Sequence, residues 1–119
     1  MRKKAKRSPK DILRDNAWKT FSLWIRNRDK KCITCGSTKT LQAGHFWHAC
    51  LDFDEININT QCSGCNHYKS GNLAIYAIYL LNKYGKRKFD ALEHRKNLAK
   101  SGEYRTEKDY IDLIKKYEL

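Results

Sequence analysis

Two Cys-x-x-Cys pairs, Cys32–Cys35 and Cys62–Cys65, have 26 residues between them in a chain of 119. No other feature constrains the fold as tightly. Zinc takes four soft ligands in a tetrahedron, and two such knuckles supply them. An all-cysteine site of this kind keeps no open position for water, so this zinc is expected to fold the protein and not to catalyse. A domain this short buries a modest core and often needs such a staple. Disulfides would suit an oxidising compartment. The basic N-terminus, however, lacks the apolar stretch of a signal peptide. No apolar run reaches the ~18 residues that cross a bilayer. The expectation is a soluble, cytoplasmic protein with one zinc. Cys50, the fifth cysteine, has no partner at ligand spacing and is expected to be a free, buried thiol.

The chain carries 25 Lys+Arg against 13 Asp+Glu, a formal net charge of +12. Six of the basic residues fall in "MRKKAKRSPK", which has no acid. A charge of this size in a small domain points to a polyanion partner, and nucleic acid is the default one. Residues 1–7 are expected to form a disordered basic arm, and residues 8–119 a single domain.

Ser8-Pro9 marks a helix start, with Ser8 as N-cap and Asp11 near the positive end of the dipole. Ile12, Leu13, Ala17, Trp18, Phe21, Trp24 and Ile25 recur at spacings of three and four, which predicts an amphipathic helix to about Arg28. Its Trp18, Phe21 and Trp24 stripe reads as core. Lys19, Arg26 and Arg28 fall on the opposite face. Leu41–Phe46 and Ile56–Gln61 read as strands, with Ile56 and Ile58 on one face and Asn57 and Asn59 on the other. A short helix is expected after Cys65, broken at Gly71. Asn72 then caps a helix over Leu73–Tyr84 that stops at Gly85. A further helical stretch runs from Lys86 to about Lys100 and breaks at Ser101-Gly102. Thr106, with Asp109 three residues on, begins a last helix whose Tyr110, Ile111, Leu113, Ile114 and Tyr117 face inward.

Chemistry-bearing residues surround the second knuckle. His45 ends the first strand, Asn57 lies five residues before Cys62, and Asn66 follows Cys65. A His, an Asn and a final Asn around a Cys-x-x-Cys pair follow the order of the HNH nucleases, whose core is the ββα-metal unit. The residue types suit phosphodiester hydrolysis. An attacking water must lose a proton, and a nearly neutral histidine fits that task. A hard cation suits the charge on the departing oxygen. Magnesium prefers oxygen ligands, which an Asn amide supplies. Asn57 is expected to fix the loop that carries the histidine.

The segments "WKTFSLWIRNRDKKCITCGS", "LQAGHF", "FDEININTQCSGCNHYKSGNL" and "YLLNKYG" resemble the phage NinG/Rap recombination endonuclease family. The resemblance spans roughly Trp18 to Gly85. It implies an α+β fold: a small ββα-metal (HNH) core with a structural four-cysteine zinc site, surrounded by helices. It further implies His45 as general base, Asn57 as the structural asparagine, Asn66 as a ligand of catalytic magnesium or manganese, and zinc on Cys32, Cys35, Cys62 and Cys65. The implied activity is cutting of branched DNA such as Holliday junctions and D-loops in a bacterial host cell, by a phage-encoded protein and as a possible homodimer. Many HNH enzymes place an Asp or His just before the base, where this chain has Gly44. One ligand is thus unassigned, with His48, Asp52, Asp54, Asn59 and His67 as candidates. Arg2, Lys3, Lys4, Lys6, Arg7, Arg26, Arg28 and Lys69 are the expected DNA contacts. Two rival readings are a non-catalytic zinc module that binds nucleic acid and an HNH nicking enzyme for ordinary duplex.

Overall fold

The computed structural model describes residues 6–99 and 103–119, so the expected contacts Arg2, Lys3 and Lys4 and the Ser101-Gly102 break lie outside the described residues. The first helix, α1, is Pro9–Asp29. Ser8 and Asp11 form the reciprocal capping box at its start, each side chain bonded to the other's backbone N–H. The sequence predicts both ends within a residue. Ala17, Phe21 and Ile25 are buried along its inner stripe, whereas Ile12, expected inside, is exposed because it lies one turn before the packed region begins.

Strand β1 is Leu41–His45 and β2 is Ile58–Cys62; they pair antiparallel with Leu41 opposite Cys62 and Gly44 opposite Asn59. The second strand starts two residues later than the alternation predicts. Asp54 is the cause: its Oδ1 accepts from the backbone N–H of both Ile56 and Asn57, and its carbonyl accepts from Ile58 N. This turn takes Ile56 and Asn57 out of the ladder.

The ribbon is covered on both faces. On one side Ala43 and Ile58 pack against Phe21, Ile25 and Trp18 of α1, and Thr60 Oγ1 donates to Ile25 O at 3.1 Å. The last helix, α3 (Glu107–Tyr117), joins this layer through Tyr117, whose ring meets Phe21 edge-on at 4.7 Å. Thr106 caps α3 with Asp109 as expected, and Tyr110 and Tyr117 are buried, but Ile111 is exposed, at the edge of the helix's inner face. On the other side lies α2 (Leu73–Leu98), whose Tyr76 and Leu80 pack with Phe46, Leu51 and Leu92.

Between β2 and α2 the chain makes one π-helical turn, Gly64–Tyr68, with Lys69 N bonded to Gly64 O at 3.0 Å. The turn therefore begins before Cys65, not after it. Asn72 stands at the start of α2 in the left-handed region, φ 49, and makes no side-chain cap. Its amide nitrogen points instead at Cys65 Sγ, 3.8 Å away. Gly85, expected to end the helix, has φ 82 and ψ 166 and forms a kink after which the helix resumes at once. Only glycine adopts such angles readily. The second limb returns over the loop 46–57. There Arg95 pairs with Asp54 at 2.7 Å, Lys96 Nζ lies 4.1 Å above the Trp47 ring, and Glu103 accepts from Leu51 N.

Candidate active site and metal centre

The four knuckle cysteines converge: the Sγ atoms of Cys32, Cys35, Cys62 and Cys65 all lie within 4.8 Å of one another. Cys32, Cys62 and Cys65 are buried and Cys35 is exposed. Burial opposes ionisation of Cys32, but hydrogen bonds from the Thr34 hydroxyl and nearby backbone amides outweigh it and hold its thiol below the ordinary range. A backbone N–H from Ser37 favours the Cys35 thiolate, but the neighbouring sulfurs prevail and push it up. Four thiolates this close repel one another unless a cation sits among them. All-sulfur donors in this arrangement fit zinc. Zinc bound here would tie the turn after α1 to the start of the π-turn and supply no open coordination position. Cys50 is half-buried, not fully buried as expected, with its sulfur 3.9 Å from Trp47 O.

His45 ends β1 on the α1 face of the ribbon. Its Nε2 lies 2.9 Å from Asp52 Oδ1, and its ring stacks on Trp18, with centroids 5.4 Å apart and planes 20° off parallel. The hydrogen bond to His45 holds the Asp52 carboxyl below its ordinary range. The loop that leads from His45 to Asp52 contains Ala49 and Leu51 in the left-handed region, at φ 61 and 53. Each costs roughly 1–2 kcal/mol. Asn57 holds them there. It is fully buried; its Oδ1 accepts from Trp47 N at 2.7 Å, and its Nδ2 faces the carbonyls of Trp47, Cys50 and Leu51.

Asn66 lies across the ribbon on the π-turn. Its Nδ2 donates to Gln42 Oε1 at 2.8 Å, which turns Oδ1 towards Gly44, the residue before His45. Gly44 is tightly enclosed. A Cβ placed on it would lie 2.9 Å from Asn66 Oδ1 and 2.3 Å from Gln61 Oε1. Tyr76 fixes this part of β1 from α2: its hydroxyl donates to Gly44 O at 2.8 Å and accepts from Asn59 Nδ2 at 3.0 Å. Burial pushes the Tyr76 phenol up, so it stays protonated.

The structure thus brings His45, Asn57 and Asn66 around one stretch of β1. Among the candidates for the unassigned ligand, Asp52 is bonded to His45, Asp54 pairs with Arg95, and Asn59 bonds Arg28, Ile56 O and Tyr76. His48 faces Gly71 and His67 is exposed. Arg28, expected on the solvent face of α1, turns inward to Asp29, Ile58 O and Asn59 Oδ1. Arg7 folds back onto Asp15, and Arg26 donates to Ser22 O at 3.3 Å. Lys6 and Lys69 are exposed. Sequence reasoning passed over Trp18 and Gln61 as site neighbours. A tryptophan on an apolar helix stripe carries no mark of what it stacks on.

A two-stranded ribbon, surrounding helices and a four-cysteine cluster fit for a structural zinc define a small α+β domain. It belongs to the phage NinG family: the family model described as "Bacteriophage Lambda NinG protein" matches residues 1–119. It is similar to "Protein ninG" of Escherichia phage 933W, with 42% identity over 78 residues covering 60% of this chain and 39% of that one. It is likewise similar to "Protein ninG" of Escherichia phage lambda, with 40% identity over 78 residues, 60% of this chain and 38% of that one. For "Protein ninG" of Salmonella phage P22 the identity is 42% over 74 residues, 57% and 36%. The matched region spans about two-fifths of the length of these curated relatives. No solved structure matches the chain. Among the described residues no helix is long and apolar enough to cross a membrane.

Proposed function

We propose that this domain is a divalent-metal-dependent DNA endonuclease, with His45 as general base. The observation that carries the reading is the placement of His45. Its Nε2 is bonded to an ionised carboxylate at 2.9 Å, and its ring is held by Trp18. That leaves Nδ1 to take a proton from an attacking water. Asp52 orients the ring, while Asn57 fixes the loop on which Asp52 stands.

Asn66 Oδ1 is an oxygen donor beside Gly44, the residue before the base, and Gln42 fixes its direction. This hard-oxygen chemistry suits magnesium or manganese and does not compete with the sulfur site for zinc. A divalent ion bound there would neutralise charge on a phosphate and on the departing 3′-oxygen. Lys69, exposed beside Asn66, and Lys6 would meet neighbouring phosphates. Branched recombination intermediates are the proposed substrate class, in the cytoplasm of a phage-bearing bacterial cell, and this rests on the family.

The test incubates zinc-loaded protein with labelled four-way junction and matching linear duplex, with magnesium or with EDTA. Cutting of the junction is expected only with magnesium, and His45→Ala is expected to abolish cutting while leaving DNA binding intact. Cutting by His45→Ala at the wild-type rate would overturn the assignment.

A further inference from the structure

Gln61 Oε1 is the one buried side-chain polar atom among the described residues that has no hydrogen-bond partner. The residue is fully buried. Its other amide atom is well placed: Nε2 donates to Gly71 O at 2.7 Å and lies 3.3 Å from Thr34 Oγ1. The amide cannot turn over without placing two carbonyl oxygens against each other, so Oε1 is held where it is. A buried carbonyl without a partner forfeits its hydration, and such atoms in folded proteins ask for an explanation.

Its position supplies one. Oε1 lies 2.3 Å from where a Cβ of residue 44 would begin, and Asn66 Oδ1 lies 2.9 Å from the same point. The two amide oxygens therefore converge on the space that a side chain before His45 would fill. Gly44 leaves that space free, and Gln61 reaches it from the neighbouring strand.

We infer that Gln61 Oε1 is the second protein ligand of the divalent ion, acting with Asn66 Oδ1 in place of a side chain at position 44; this rests on the function proposed above. Two amide oxygens carry no net charge. Affinity for a hard dication rises with the charge of its ligands. The site therefore binds its ion weakly alone and tightly once a DNA phosphate adds its own oxygen. Ion binding is thus coupled to substrate through the neutrality of Gln61.

The experiment measures Mn2+ binding without DNA by the electron paramagnetic resonance of free Mn2+, on zinc-loaded protein whose zinc content and melting are recorded. Gln61→Met is expected to weaken binding about tenfold, and Gln61→Glu to tighten it about tenfold. If Gln61→Met does not fold, Gln61→Glu carries the comparison alone. Wild-type Mn2+ affinity in the folded variants overturns the inference. Anomalous diffraction from crystals grown with Mn2+ locates the ion independently. A peak within bonding distance of Gln61 Oε1 and Asn66 Oδ1 supports it. A peak on Asn66 alone overturns the role of Gln61 and leaves the nuclease reading standing, whereas no peak beside Gly44 overturns both.

Discussion

His45 Nε2 and Asp52 Oδ1 lie 2.9 Å apart across a loop that begins and ends on the same short ribbon. The contact fixes which imidazole nitrogen carries a proton and which faces outward. Asp52→Asn removes the charge but keeps the shape. We expect it to lower single-turnover cleavage about 10- to 100-fold, in the range found for partners that orient a functional histidine. Binding to the same DNA, followed by anisotropy, should not change. Equal losses in binding and cleavage would mean that Asp52 contacts DNA instead.

Asn57 satisfies four backbone groups at once, at Trp47 N and O, Cys50 O and Leu51 O. Asn57→Ala leaves Trp47 N and Cys50 O without that partner, although Leu51 O keeps Asp54 N, and releases Ala49 and Leu51 from their left-handed angles. The expected cost is about 2–3 kcal/mol. At this chain length that is a fall in melting temperature of roughly 10 °C. Cleavage should fall further than the unfolded fraction accounts for, because the loop positions Asp52.

Removal of zinc by a strong chelator should unfold the domain cooperatively, read as loss of the far-ultraviolet helical signal. Metal analysis should return about one zinc per chain. Cys65→Ser, at a buried ligand, should lose both metal and fold. Cys35→Ser, at the exposed one, should keep part of each, because water reaches the vacated position. Cys50→Ser should leave the zinc content unchanged.

Much of this arrangement is legible in the chain. Ser8-Pro9 with Asp11, and Thr106 with Asp109, mark helix starts by local hydrogen bonding, and local hydrogen bonding is written in adjacent residues. The knuckles and the loop-fixing role of Asn57 follow from ligand chemistry and motif order. What was not legible depends on contacts through space. Asp52 is one of several acids and histidines near the knuckles, and only the path of the loop aims it at His45. Asp54 turns the chain before β2 and so shortens a strand that alternation alone extends. Arg28 has the spacing of a surface residue, but Asp29 and Asn59 draw it inside. Gln61 reads as an ordinary strand residue until Gly71 O is seen to hold its amide.

Asp29 joins α1 to the ribbon. Its carboxylate accepts from Thr60 N at 2.9 Å and from Arg28 at 2.8 Å. Burial alone would raise its pKa, but the Arg28 pair and the Thr60 amide outweigh this and hold it below the ordinary value of 3.8. A depressed carboxyl stabilises the folded state fully above the unfolded pKa and loses that contribution as pH falls through the folded one. Chemical denaturation should therefore show stability declining below about pH 4. Asp29→Asn should cost about 2 kcal/mol at neutral pH and flatten that decline. An unchanged acid slope in the variant would assign the decline to other carboxylates.

The kink at Gly85 also divides the knuckles and His45 from the residues that brace the neighbouring loop. All four knuckle cysteines and His45, Asn57 and Asn66 precede it. Yet Arg95, Lys96 and Glu103, which clamp Asp54, Trp47 and Leu51, all come after it. A fragment ending at the kink would contain those residues and lack the brace on the loop whose Asp52 orients the histidine. The chemistry-bearing residues are thus fewer than the residues that align them, and transplanting the first set alone would carry over the knuckles without the alignment.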